Sequence, residues 1–162
     1  MSDYFKDQPE RIAALRVAIE SWKGTPFRKN SCAPGPGGGV ACREFIRECL
    51  CQIGAINACP ALPDYHVEHA QHSEVSLLLA WFRQPEVRVR FRDLAEDEPH
   101  VDGDLVFPKV GRCEHHIAFR MGGEVFHIVR PTGWCSMTLA QVTLHHSRYR
   151  LIERTDCEDC FT

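Results

Sequence analysis

The sequence changes its period once, near residue 87, and that change limits the folds open to it. Before it, apolar residues recur every three or four positions, the spacing of one helix face. After it, apolar and polar residues alternate or fall into short apolar runs, as strands do. Helices first and strands second predict an α+β fold in which N-terminal helices pack on a small antiparallel sheet.

The first helix is expected over Pro9 to Trp22, with Ile12, Leu15, Ile19 and Trp22 on one side and Pro9 suited to the first turn. G-T-P-F ends it. The glycine- and proline-rich stretch from Lys23 to Val40 is expected to be irregular, and mobile unless docked. A second helix starts near Cys42 and buries Phe45, Ile46, Cys49, Leu50 and Ile53, with Gly54 as its stop and Arg43, Glu44, Arg47 and Glu48 outward. Pro60 and Pro63 break the next segment. A third helix opens with Ser73 as N-cap and ends before Pro85. V-R-V-R-F from Val87 and D-L-V-F then read as strands, and H-I-A-F-R-M with E-V-F-H-I-V reads as a hairpin about Gly122-Gly123. A last strand is expected over Tyr149 to Glu153.

A chain of 162 residues is large enough to bury roughly 70% of its unfolded surface around one core, so one domain is expected over residues 1–162, its core about 9–153 and a loose tail at 154–162. The net charge of −3 supplies no broad basic field for nucleic acid or an anionic membrane. No apolar run approaches the roughly 20 residues of a membrane span, and the polar start M-S-D-Y-F-K-D-Q-P-E lacks the regions of a signal peptide, so the expected location is cytoplasmic. Nine cysteines, an odd number, read in that setting as mostly reduced.

One of them stands apart. In G-G-G-V-A-C-R-E-F-I-R-E-C-L, Cys42 falls where a glycine run gives way to an amphipathic helix. A helix N-terminus presents unpaired N–H groups and the positive end of the peptide dipole, which favour thiolate. A thiol nucleophile also needs a base on a rigid element facing it, and the hairpin offers His115, His116 and His127. His115 and His116 face opposite ways if the strand already runs through them. His116 shares the less hydrophobic face with Ala118 and Arg120, where small Ala118 leaves room for a ligand, and His127 lies within cross-strand reach. The expected chemistry is acyl transfer or amide hydrolysis. Cys42 attacks, His116 is the base, His127 fixes its tautomer, and N–H groups at the helix start, including that of Cys42, hold the oxyanion. With imidazolium and helix terminus both lowering its pKa from about 8.5, the thiol is expected to be ionised at neutral pH.

W-K-G-T-P-F, the glycine-rich loop with V-A-C-R-E-F-I, then G-D-L-V-F, then H-H-I-A-F-R-M-G-G-E-V-F-H, in this order, resemble the NlpC-type family of papain-like cell-wall cysteine peptidases, particularly phage-tail-associated members. The resemblance covers roughly residues 11 to 153. It implies a Cys-bearing helix packed on a His-bearing sheet and cleavage of D-glutamyl or related amide bonds in peptidoglycan stem peptides. It also implies Cys42 as nucleophile, His116 as base and His127 as orienting residue, with no cofactor and no metal. This chain carries Ala41 and Arg43 where the family usually has Asp and a small residue, and Phe27 where many relatives have Tyr. Phe27, Ala41, Arg43 and His115 are therefore the expected substrate and oxyanion region. Expected partners are a peptide or peptidoglycan-fragment substrate and phage-tail or secretion-machine proteins, without nucleic acid or membrane.

Other clusters read as structural. Cys49 and Cys51 fit buried apolar positions, and His145-His146 fit the surface. His66, His69 and His72 could line one helical face and Cys157 and Cys160 have the gap of a zinc pair, but a polar loop and a frayed terminus account for them more simply. Two alternatives stand beside the hydrolase: a catalytically silent module of the same fold serving in binding or tail-like assembly, and a small zinc-binding domain.

Overall fold

The computed structural model describes residues 2–57, 76–109 and 116–153. Ser73, Pro60, Pro63, the His66/His69/His72 cluster, His115, Cys157, Cys160 and the tail at 154–162 lie outside the described residues.

Helix α1 (Pro9–Glu20) turns Leu15, Ala18 and Ile19 inward, with Pro9 at its first turn as expected. The next stretch corrects the expectation of irregular chain. Strands β1 (Cys32–Ala33) and β2 (Gly39–Val40) pair antiparallel, Cys32 opposite Val40 and Ala33 opposite Gly39. The turn closes tightly, because a Cβ on Gly38 would stand 2.0 Å from the Ala33 carbonyl oxygen. The hairpin is docked: Val40 N–H donates to the Pro26 carbonyl, Arg28 N–H donates to Val40, and Gly35 N–H donates to Thr25 Oγ1. Propensity misses this, since two-residue strands present no patterned face.

Helix α2 (Cys42–Gln52) follows at once and buries Cys42, Phe45, Ile46, Cys49 and Leu50, matching the expected face, with Ile53 half-buried at its end and Gly54 at φ +69° as the stop. Helix α3 (Leu77–Phe82) is capped by Ser76, whose side chain accepts from Leu79 N–H. The expected V-R-V-R-F strand is corrected. Pro85 opens a single helical turn, α4 (Pro85–Arg88), which buries Val87 at 1% exposure and leaves Val89 60% exposed. Two valines on one strand face would be buried alike, so only Phe91–Asp93 remains as strand β3.

The main sheet contains β4 (Asp104–Pro108), β5 (Ala118–Met121), β6 (Glu124–Val129), β7 (Gly133–Thr138) and β8 (Leu144–Leu151), ordered β3-β8-β4-β5-β6-β7 with antiparallel neighbours. The β5–β6 hairpin is as expected, with Met121 opposite Glu124 across Gly122 and Gly123. The last strand starts five residues before its expected beginning and lies inside the sheet, between β3 and β4. Strand β7 has no counterpart among the sequence expectations. Its first residue, Gly133, is pressed against Thr25 and Pro26, and Trp134 donates its N–H to Thr25 and its Nε1–H to Ile19.

The helices cover one face of this sheet. Phe45, Phe82, Phe107, Phe119, Phe126, Ile128 and Tyr149 fill the interface, with Phe45 edge-on to Trp22 and Phe119 and with Phe82 stacked on Tyr149. The other face carries a smaller apolar cluster of Val106, Ala118 and Val125, flanked by Met137, Leu139, Val142 and Leu144. This corrects the open space expected beside Ala118, which is fully buried.

Candidate active site

Ala41, extended at φ −95° and ψ 165°, is the residue before α2 and makes no side-chain cap. The first turn of α2 thus keeps N–H groups directed past its start. Cys42 is the first helical residue, 4% exposed. Two main-chain hydrogen bonds reach its sulfur, one from Ile117 and one from Arg43. The first ties the start of α2 to the approach of β5, where Ile117 directly follows His116.

His116 and His127 are both buried, and His116 Nε2 lies 2.8 Å from His127 Nδ1. His127 sits on β6 opposite Cys135 of β7, on the sheet face that also carries Val125. Continuing the β5–β6 register by one residue brings Ala118 across from it. His116 precedes β5 and stands outside the ladder, so strand alternation does not fix its direction. The structure thus brings Cys42, the backbone beside His116, and His127 into one neighbourhood.

The expectation of an ionised thiol is corrected. Burial pushes Cys42 up to about 11, against the lowering effect of the Ile117 hydrogen bond and the nearby Arg43 charge, which Glu44 in turn opposes. Desolvation of a fully enclosed sulfur outweighs the helix terminus. Burial also holds His127 down to about 4. Both groups therefore rest neutral.

Of the expected substrate region, Ala41 is buried, and Phe27 is half-buried, packed on the main core and bridged to Val40, two residues ahead of the sulfur. Arg43 pairs with Glu44 at 3.1 Å, its side chain largely covered. Cys32, Cys42, Cys49, Cys51 and Cys135 are free thiols. Among the described residues no three His, Cys, Asp or Glu side chains stand together as a metal would require, and no helix is long and apolar enough to cross a membrane. Sequence reasoning missed the Ile117 N–H on the sulfur and Cys135 opposite His127. The second had a signal, the turn residues P-T-G ahead of W-C-S-M-T; the first, a backbone contact, had none.

Compared with solved structures, the chain is similar to the crystal structure of the NlpC/p60 domain of the peptidoglycan hydrolase SagA, with a TM-score of 0.51 and 15% identity over 88% of this chain and 98% of that one. The chain has the NlpC/p60 fold. At this identity the likeness concerns architecture, a papain-like arrangement of helices on an antiparallel sheet. No protein-family model matches the sequence, and no curated protein matches it. Within the NlpC/p60 fold found here, Cys42 opens the helix that packs on β5 and β6, and the two histidines stand on those strands or their approach.

Proposed function

We propose that the chain is one cysteine hydrolase domain that cleaves an amide bond in peptidoglycan stem peptides or a related peptide, with Cys42 as nucleophile, His116 as base and His127 as its positioning partner. The observation that carries the reading is the conjunction at the start of α2. The sulfur takes a hydrogen bond from Ile117, and the residue before Ile117 is hydrogen-bonded to a second histidine. The similar domain of SagA belongs to a peptidoglycan hydrolase, which supports the substrate class.

On this reading the Cys42 proton passes to His116 as the sulfur attacks the amide carbonyl, because a thiol raised by burial needs a base in place. The oxyanion is held by N–H groups at the start of α2. The C–N bond then breaks, His116 returns the proton to the leaving amine, and water hydrolyses the Cys42 thioester with the same imidazole as base. Phe27, Ala41, Arg43 and His115 border the substrate. A cytoplasmic site of synthesis and phage-tail or secretion-machine partners belong to the same proposal and rest on the sequence resemblance alone.

The elevated Cys42 thiol favours a second reading, a catalytically silent module that binds or assembles. Incubation with soluble stem peptides, read by mass spectrometry, separates the two. The hydrolase yields two product peptides, and Cys42→Ser and His116→Ala each abolish them. Absence of cleavage with retained peptide binding establishes the silent module.

A further inference from the structure

A cavity of about 640 Å³ opens at the β3 edge of the sheet, with β4 between it and the hairpin that carries His127. Strand β3 leaves room for it by being short. Among the described residues it pairs with Tyr149, Arg150 and Leu151 only, although β8 begins at Leu144. Beyond β3, Leu94 N–H still donates to the Arg148 carbonyl, and the chain then turns at Glu96. The ends of α3 and α4 supply Arg83 and Arg88 to the same space, because Pro85 separates the two helices between them. The volume falls in the range of sites that hold a small molecule.

The lining is charged unevenly. Arg83, Arg88 and Arg148 meet Asp93 and Glu96 there. Arg88 holds Asp93 at 2.9 Å, and Arg83 and Asp93 both bear on the Tyr149 hydroxyl. Burial, with Asp93 beside it, pushes that hydroxyl up to about 12, so it adds no charge at neutral pH. Arg148 is 8% exposed and donates to the carbonyls of Ala95, Glu96 and Glu98 and meets His100, with no carboxylate in ion-pair reach among the described residues. Its charge is fixed in the cavity wall and is not cancelled there. Three guanidinium groups against two carboxylates leave one positive charge over, His146 in the lining standing outside this count. One carboxylate balances that charge, whereas a phosphate dianion overshoots it. Arg83 and Arg88 are exposed, so their planar forks are accessible to an incoming carboxylate, two N–H groups to two oxygens.

We infer that this cavity is a binding site for a single carboxylate group carried on a molecule of short-peptide size, with Arg83 and Arg88 as its donors and Arg148 as a fixed charge in its wall. It is a site apart from Cys42, and it stands or falls without the hydrolase reading. The test titrates the intact protein at neutral pH with N-acetyl-alanyl-alanine, with the C-terminal amide of the same dipeptide and with inorganic phosphate, each followed by backbone amide shifts. The acid is expected to move the amides of Leu94, Ser147 and Tyr149 to saturation, and the neutral dipeptide to leave them in place. Arg83→Gln and Arg88→Gln should each weaken the acid's binding roughly tenfold. Glu96→Gln removes an opposing charge at an exposed position and should tighten it about threefold, a gain that loss of structure does not produce. Equal binding of acid and neutral dipeptide, tighter binding of inorganic phosphate than of the acid, shifts confined to residues around Cys42, or no saturable shift at all overturns the inference. So does Glu96→Gln with unchanged or weaker binding. Stem-peptide cleavage is read separately and bears on Cys42 alone.

Discussion

At the β3–β8–β4 end of the sheet, Arg150 and Asp104 are 3% and 1% exposed; on β6, His127 is as deeply buried at 2% and rests neutral. The two ends handle burial in opposite ways. Arg150 donates to both oxygens of Asp104 at 2.6 and 2.8 Å, to Asp3 and Glu98 at 3.0 Å, and to the Pro99 carbonyl. Arg92 clasps Asp3 from the neighbouring strand, at 2.7 and 2.9 Å. Arg148 is spent on the carbonyls of Ala95, Glu96 and Glu98 and on His100. Every charge there meets an opposite charge or a carbonyl. The two histidine rings are joined at 2.8 Å, and the sheet face that carries His127 also carries the apolar cluster of Val106, Ala118 and Val125. A carboxylate stays ionised in the first setting, while an imidazole sheds its proton in the second. The contrast is one of surroundings: Asp3 and Glu98 are met by guanidinium groups, whereas His127 is set among apolar side chains that leave its imidazole neutral.

The largest test of this contrast removes one charge from the ionic end. Asp104→Ala leaves Arg150 buried beside a lost partner and should destabilise the fold by about 3–5 kcal/mol in urea denaturation. His127→Leu removes one neutral hydrogen bond and should lower stability by roughly 1–3 kcal/mol. Equal losses would erase the distinction between the two ends.

Acidification separates them by window. His127 has a folded pKa of about 4 against an ordinary 6.5, so the unfolded chain binds the proton first. The stability it confers is whole above about 6.5 and is lost as pH falls toward 4. Asp3 and Glu98 are held down to about 2 by their hydrogen bonds from Arg92, from ordinary values of 3.8 and 4.5, and their contribution persists until pH falls through that lower range. His100, also depressed to about 4 by burial and by Arg120 and Arg148, adds a loss in the same window as His127. The decisive quantity is therefore the difference between the parent and His127→Gln. The parent should lose stability more steeply between pH 6.5 and 4, and parallel curves would show that His127 keeps an ordinary pKa.

The smallest effect is expected from an exposed ion pair. Arg88 and Asp93 lie 2.9 Å apart in solvent, and Arg88→Ala should shift stability by no more than about 0.5 kcal/mol. A loss comparable with that of Asp104→Ala would mean that pairing, not burial, sets the magnitude at the ionic end.

What the sequence makes legible follows the same division. The helix faces of α1 and α2 and the β5–β6 hairpin are readable because each buries a repeating apolar set, and Cys42, His116 and His127 can be named from their places on those elements. The β1–β2 hairpin is not readable, since strands of two residues are too short to show a side-chain period. V-R-V-R-F misleads because alternation over a few residues also fits a helical turn begun by proline. The ionisation of Cys42 escapes the sequence for a different reason. Its place at a helix start is local and visible in sequence, but its enclosure is made by the whole fold and reverses the direction of the shift.

Cys42 and Cys49 lie two turns apart on α2, both buried and both raised by desolvation, and they form an internal control for the central claim. The measurement is iodoacetamide alkylation at neutral pH, with each thiol followed by peptide mass spectrometry in the parent and in His116→Ala. If His116 accepts the Cys42 proton, Cys42 reacts well ahead of Cys49 and loses that lead in the variant. Equal, slow reaction of both thiols whether or not His116 is present would contradict the account.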